Sequence, residues 1–599
     1  DREPIFVGTN GPEKGGVPTI CLLDPQPEQA SAIGLDRDIR DVVCPLWSTP
    51  YESQLVYKYR KVEDAMCRLT KAIIKQSKQE RSRGLSNRSR VPGWVIEANR
   101  LRGGCAAPLL GILRSPVLDG YRNKSEFSIG LDVNEKPTVG FNIGLFKEGM
   151  TAVSGPENCR HISPIAKTLA SALQSFIRSE NDGINGNGHH LPVWNKSTGT
   201  GFWRLLTVRE GGVAPPAGHW VKWKRTPFDN KNHAGADAER EHVEYFEPMS
   251  SQKDDDGLPS LSTSSRSEVM VIIQVSLSGH DTCTVQKTCK RAADVLRIAA
   301  SHALPRPFYL KRLLMQVHNG VSNAAGPNAQ LFDLENGNTS TAKQISISEN
   351  LCGLRFSLSA TAFFQVNTCA ADILYQIAGE WASPHGRSLV LDICCGTGTI
   401  GITLAKKVQK VIGVDIVEDA IEDAKANATV NGITNCEWIA GRAENVLPSI
   451  LKTYAPLVTP SERPGLTKAR YSAPSAEESG SEGLSFPDRC HKGEPDVSMD
   501  NAIRGSKSYP FDDIVAIADP PRAGLHRNVL LALRKESCVR RLVYVSCNPD
   551  TMAADCAELC KPQGPDGMSG GVPFTPVKAM AVDLFPHTRH CEAVVLLER

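Results

Sequence analysis

The run SLVLDICCGTGTIGITLAKK, residues 388 to 407, constrains the fold more than any other stretch: an apolar strand stops at a turn holding Gly396 and Gly398, and a helix follows. Glycine there lets the backbone turn tightly and approach a ligand closely. A second strand, KVIGVD, ends in Asp415, and from about residue 386 onward strand, turn and helix alternate. That texture predicts a parallel, doubly wound sheet, whose chemistry sits at the C-terminal ends of its strands.

The turn has neither the G-x-G-x-x-G spacing of a pyrophosphate loop nor a G-K-[ST], so a nucleoside without phosphates fits better than NAD or ATP. That points to S-adenosylmethionine. Asp415 stands where an acidic residue commonly holds the two hydroxyls of a ribose, its plain alternative being a helix N-cap before VEDAIEDAKANA. Ala443 and Glu444, in CEWIAGRAENVL, fall where such enzymes meet the adenine.

Two later strands carry reactive groups at their exits. DDIVAIADPPRAGLH ends its apolar run at Asp519, and the two prolines that follow stiffen the loop and fix its aim. VYVSCNPD puts Cys547 in a turn made rigid by Pro549, next to the N-terminus of the following helix, where the dipole favours a thiolate. A nucleophile is the natural use of such a cysteine. Glu592 opens the last apolar run, AVVLL, near the same rim; His587, His590 and Cys591 look like a metal cluster but lack a second pair of ligands.

The rest of the chain divides by texture. Residues 1 to 40 read as a flexible tail, and Tyr51 to Gln79 as a helix, followed by a basic linker, KQERSRGLSNRSR. Residues 41 to 345 mix short strands with helices and predict an α+β domain with a polar insertion near 227 to 266, which the resemblance given below implies to be RNA-binding. Residues 346 to 599 predict a Rossmann-like methyltransferase domain with a disordered insertion near 457 to 510. The expected class is therefore α/β.

With 68 basic against 66 acidic side chains the net charge of +2 neither advertises nor forbids a nucleic-acid partner, so any basic surface is local. No stretch approaches the ~18 consecutive apolar residues that span a bilayer, so no membrane partner is expected. The 18 scattered cysteines fit a reducing, intracellular compartment. Because the first residue is Asp1, targeting is not read, and mitochondrial and cytoplasmic or nuclear placements both stay open. A monomer is expected.

Taken in order, TAFFQVNT, LDICCGTGTIG, GVDIVEDAIEDAKANA, ADPPRAGLH, VYVSCNP and DLFPHTRHCE resemble the RNA uracil-C5 methyltransferase family, over roughly residues 41 to 599. The resemblance implies that Gln365, Cys394 and Gly396 of the glycine turn, Thr399, Asp415 and Asp519 line the S-adenosylmethionine pocket. It implies Cys547 as nucleophile, Glu592 as proton acceptor, and Arg122 and Lys124 of GYRNKSEFSIG as RNA phosphate contacts. Some relatives hold an iron–sulfur cluster through four cysteines, but Cys105 stands alone in its neighbourhood, so neither a cluster nor another metal is expected.

The chemistry follows from the base. Uracil C5 is too weak a nucleophile to take a methyl group unaided; a thiolate adding to C6 loads electron density onto C5. The expected substrate is uridine 54 in the T-loop of tRNA, with small-subunit, including mitochondrial, rRNA as the alternative. Cytosine-C5 enzymes would carry a Pro-Cys nucleophile after the Asp519 strand, and none follows it. A tRNA-binding or folding protein with little catalysis is the competing class.

Overall fold

The structure, a computed structural model, describes residues 37–82, 91–144, 150–181, 191–212, 222–227, 242–247, 268–303, 308–320, 330–335, 339–340, 345–458, 510–562 and 571–599. The fold is α/β as expected, a Rossmann-like domain beside an α+β domain. Across the larger sheet the strands run Cys436–Ala440, Lys410–Asp415, Ser388–Ile393, Asp513–Ala518, Val539–Ser546, Glu592–Glu598, Thr575–Val582 and Leu109–Leu113, then the hairpin of His242–Glu247 and Lys222–Pro227. The first five are parallel to one another, and Glu592–Glu598 inserts antiparallel to both its neighbours. SLVLDI is buried at every position and DIVAIA at all but its first, as a strand covered on both faces by helices requires.

The smaller sheet runs Thr339–Ser340, Leu331–Asp333, Tyr309–Val317, Glu268–Val275, Trp203–Gly211, Lys124–Leu131, Pro137–Asn142 and Val153–Ser154. Helices Pro164–Asn181 and Thr282–Ser301 share a core with it, burying Leu169, Leu173, Val285 and Leu296 against Phe127, Val208 and Ile273.

The domain boundary expected at residue 345 does not hold. Helix Tyr51–Ser82 and strand Leu109–Leu113 belong to the Rossmann-like body: the strand pairs in parallel with Thr575–Val582, and Leu55, Val62, Met66, Leu69 and Ile73 share a core with Leu542, Met552 and Val595. Local texture could not show this, because the pairing joins residues far apart in the chain. The helix also runs on to Ser82, into the stretch read as a linker. Of the stretch read as a tail, residues 1–36 lie outside the described residues, while Asp38 caps the helix Ile39–Val43 and Ile39 is buried. Strand His242–Glu247 lies inside the stretch read as a polar insertion, where HVEYFE alternates in the strand period. Residues 459–509 of the second insertion lie outside the described residues.

Candidate active site

Three positive φ values in five residues, at Cys394 (64°), Gly396 (53°) and Gly398 (78°), fold the chain sharply off the end of Ser388–Ile393. The amides of Cys394 and Cys395 both donate to the carbonyl of Val414, at 2.9 and 3.1 Å, pinning the turn to the neighbouring strand. That strand ends in Asp415, whose Oδ2 accepts from the Gly396 amide and Oδ1 from the Val417 amide, each at 2.9 Å. A carboxylate has about four acceptor sites, so capacity for a diol remains. A Cβ on Gly396 would meet nothing within 4 Å, whereas one on Gly398 would lie 2.8 Å from the Trp438 ring. The turn is therefore open on its Gly396 side and floored by an indole. Thr399 begins the next helix, and Asp392 is fully buried, its Oδ2 taking the Gly401 amide at 2.7 Å. Burial pushes the Asp392 carboxyl up to about 7, and its Oδ1 has no partner among the described residues.

Asp519 follows the adjacent strand, and its amide donates to the Ile393 carbonyl at 3.2 Å, which sets it beside the glycine turn. Cys547 follows the next strand. Ser546 Oγ donates to the Asn548 carbonyl and accepts from the Asn548 amide, both at 3.0 Å, and Asn548 caps the helix Pro549–Cys560. Asn548 Nδ2 and Thr551 Oγ1 both donate to the Arg522 carbonyl at 3.1 Å, fastening the two catalytic-looking loops together.

The antiparallel register pairs Ser546 with Ala593, so the next pair outward is Cys547 with Glu592. Glu592 is 2% exposed and its Oε2 has no partner among the described residues. Burial and then the Asp519 carboxylate push Glu592 well above the usual carboxylate range, while Arg522 pulls it down. Burial also pushes Asp519 up.

The surroundings of Cys547 act on its thiol in both directions. Burial, then Glu592, then Asp519 push the Cys547 thiol up, opposed by the charge and hydrogen bond of Arg522.

Arg122 and Lys124 are brought to neither reacting group. Arg122 donates to the Lys124 carbonyl at 3.2 Å and burial lowers its pKa; Lys124 pairs with Glu126 at 2.8 Å. Between them, Asn123 joins the loop before helix Thr368–Ala382: its Nδ2 donates to the Gln365 carbonyl at 2.9 Å and to Thr368 Oγ1 at 2.8 Å, and its amide to the Val366 carbonyl at 2.8 Å. In the same loop Phe363 is 71% exposed. His587 is held by Asp119 at 3.0 Å and Gln54 at 3.3 Å.

Sequence reasoning passed over Tyr375, on helix Thr368–Ala382. Its buried phenol is hydrogen-bonded by Thr399 and Gln365; burial, then Asp519, push it up, with Glu592 adding to the rise. The only sequence signal was a tyrosine on the buried face of a helix, which looks like ordinary core.

Two family models match the chain: a methyltransferase domain over residues 385–455, and tRNA (uracil-5-)-methyltransferase over residues 501–599. The human tRNA (uracil-5-)-methyltransferase homolog A is 33% identical over 94% of this chain and 67% of its own length. This chain belongs to the tRNA (uracil-5-)-methyltransferase family. An Arabidopsis thaliana protein, zinc finger CCCH domain-containing protein 24, is 37% identical over 94% of this chain and 68% of its own. Among solved structures, that of the Pyrococcus abyssi tRNA (uracil-54, C5)-methyltransferase in complex with S-adenosyl-L-homocysteine aligns at a TM-score of 0.48 and 19% identity, covering 92% of this chain and 85% of the other.

The chain is thus an RNA uracil-5 methyltransferase, with the glycine turn in one matched region and both Cys547 and Glu592 in the other. In this methyltransferase, Tyr375→Phe removes the phenol's hydrogen bonds to Thr399 and Gln365. Losing about 1 kcal/mol there should raise the KM for the methyl donor roughly fivefold. Steady-state kinetics at saturating RNA test this; an unchanged donor KM would make Tyr375 a core residue only.

Proposed function

We propose that this enzyme methylates C5 of uridine 54 in the T-loop of tRNA, with S-adenosylmethionine as methyl donor, Cys547 as nucleophile and Glu592 as base. The register that sets Cys547 opposite Glu592, with Asp519 at the next strand end, carries the reading. The residues fit the donor: Asp415 offers acceptor sites to a ribose, the Gly396 side of the turn is open, and Gln365 and Thr399 meet at Tyr375. Asp392, Asp519 and Glu592 are all pushed up by burial, so a cationic ligand among them is favoured. S-adenosylmethionine supplies a sulfonium-bound, electrophilic methyl group.

The protein's own groups do the rest. Arg522 stabilises the Cys547 thiolate, which adds to C6; the C5–C6 π electrons move onto C5 and O4 as an enolate. After C5 is methylated it carries both hydrogen and methyl. Glu592 takes the C5 proton, the C5–C6 double bond re-forms, and the C6–S bond breaks to release Cys547. The target base must leave its stack to reach this buried pair, which costs least in a loop. Exposed Phe363, two residues before Gln365, offers a ring at the entrance.

Asp415→Ala should weaken S-adenosylmethionine binding by roughly 10- to 100-fold, the scale of losing about 1.5–3 kcal/mol of charged hydrogen bonding. Calorimetry without RNA measures this, and unaltered affinity would remove Asp415 from the site. The overall test is incubation with S-adenosylmethionine and unmodified tRNA transcript, reading 5-methyluridine by nucleoside mass spectrometry. Product confined to the T-loop supports the reading. Product on ribosomal RNA alone would overturn the substrate, and none on either would overturn the reaction.

A further inference from the structure

The strand Trp203–Gly211 of the smaller sheet ends against the hairpin of Ser346–Leu351 and Leu354–Ser359. A Cβ on Gly211 would lie 2.3 Å from the Ser348 carbonyl oxygen, so any side chain there would force the two apart. The Ser348 amide donates at 2.7 Å to Glu268, the sheet partner of Gly211. On its other side the hairpin packs Ile347, Phe356 and Leu358 into a core shared with Leu374 and Ile421 of the Rossmann-like body. From Ser359 the chain runs straight into the loop that carries Gln365.

Arg209 takes hold of the start of that loop. It is 2% exposed, and its Nη1 donates to the Ser359 carbonyl at 2.8 Å while Nη2 donates to the Ala362 carbonyl. The Ala362 amide donates to the same Ser359 carbonyl at 3.2 Å, so the planar guanidinium closes a turn from both ends. Ser359 Oγ passes the link on to Asp423 Oδ2 at 2.7 Å, on the helix Glu418–Val430 that follows Asp415. Burial pushes the Arg209 guanidinium down to about 10. Apolar residues in such buried places are often as stable or more so, and a cation kept there points to geometry rather than packing.

Asn123 takes hold of the other end. Lys124 pairs with Arg209 in the sheet, so Asn123 lies opposite Glu210, whose amide donates to the Asn123 carbonyl at 2.7 Å. The two grips therefore come from one end of one pair of strands, with Asn123 bonded to Gln365, Val366 and Thr368. Between them Phe364 is buried beside the Phe356 ring, and the Gln365 side chain reaches Tyr375. Asn367 Nδ2 ties the same loop to the Leu584 carbonyl at 3.0 Å, in the segment leading to Glu592.

We propose that Arg209 and Asn123 are positioning residues of the reaction: from one end of the smaller sheet they clamp the loop 359–368 at both ends and so set Gln365 against the methyl donor. The proposal rests on the reading that places the donor beside Gln365. Calorimetry with S-adenosylhomocysteine, on the full chain without RNA, tests it in Arg209→Lys, Asn123→Ala, Gln365→Ala and the two doubles that join a clamp variant to Gln365→Ala. Lysine keeps the charge but is a point donor that cannot bridge both carbonyls. Asn123 is half-buried at a strand end, so its variant carries the test if Arg209→Lys fails to fold.

Each clamp variant should weaken S-adenosylhomocysteine roughly five- to tenfold, the scale of one or two lost hydrogen bonds. At saturating tRNA the donor KM should rise by the same factor, with kcat and tRNA affinity by fluorescence anisotropy near wild type. Each double should bind no worse than Gln365→Ala alone, because the clamp acts through that residue. Residues that served only to pack the two bodies would lower the denaturation midpoint and leave affinity per folded molecule at the wild-type value, and that outcome would overturn the clamp. Effects that add in full to those of Gln365→Ala would overturn it as well, since the clamp would then act elsewhere. Wild-type protein that binds neither S-adenosylhomocysteine nor S-adenosylmethionine would sink the donor reading itself, an outcome distinct from wild type and clamp variants binding equally.

Discussion

Cys547→Ala should lower 5-methyluridine formation by roughly 10⁴-fold or more, the scale on which a nucleophile acting as a unit with its partners fails when removed. The residual rate would reflect donor and base held close together, which the substitution leaves in place. RNA carrying 5-fluorouridine sharpens the test. Fluorine at C5 cannot leave as a cation, so wild-type enzyme should stay bonded to it through C6, and the adduct should survive a denaturing gel. Cys547→Ala should form none. Glu592→Gln should also fail to turn over, but should accumulate the adduct on ordinary uridine, because addition precedes proton removal. An adduct surviving in Cys547→Ala would place the nucleophile elsewhere.

Glu592→Gln has a second signature, in stability. A carboxyl held above its unfolded value of about 4.3 binds its proton more tightly when folded, so folding stability declines as pH rises from that value through the folded pKa. Burial and Asp519 give Glu592 such a shift, and glutamine cannot titrate. The variant should therefore lose less stability than wild type between mildly acidic and alkaline pH, read from denaturation midpoints across that range.

The largest loss of stability is expected at Lys58. Its Nζ donates to Asp583 Oδ1 at 2.6 Å and to the Phe585 carbonyl at 2.9 Å, and both side chains of the pair are 0% exposed. Tyr51 Oη donates to the other oxygen of Asp583 at 2.9 Å. Lys58→Met strands the carboxylate in the core, which costs about 3–5 kcal/mol. The double change Lys58→Met with Asp583→Leu should recover much of that, since a buried pair replaced by apolar groups is often near neutral. Denaturant midpoints of the three proteins decide it; a single variant as stable as wild type would show that water reaches Asp583. Because Asp583 lies in the segment leading to Glu592, Lys58→Met should also reduce activity.

The strand ends were legible because each is written locally. SLVLDI, KVIGVD and DIVAIA are apolar runs cut off by glycine, an acid or proline, and these patterns need no knowledge of the rest of the chain. The meeting of Cys547 with Glu592 was legible only as a shared rim, because register is set by long-range pairing, and Glu592 alone looks like a solvated strand entry. The boundary at residue 345 failed for the same reason. Nothing in LLGIL says that it pairs with Thr575–Val582. Asn123 and Tyr375 were missed because hydrogen bonds to a distant loop leave no periodic trace. The burial and the carboxyls that push the Cys547 thiol up leave no trace in the sequence, where only the helix end shows.

Strand Glu592–Glu598 lies in the interior of its sheet, between segments made earlier, and Leu109–Leu113 waits for its late partner Thr575–Val582. On a ribosome adding about 5–20 residues per second, the gap of on the order of 450 residues between those two partners takes roughly half a minute to a minute and a half to synthesise. Throughout that interval the early helix Tyr51–Ser82 carries an apolar stripe with no sheet to cover it. A nascent chain of this protein is therefore a natural client for chaperones until the last strands of its sheet have left the exit tunnel.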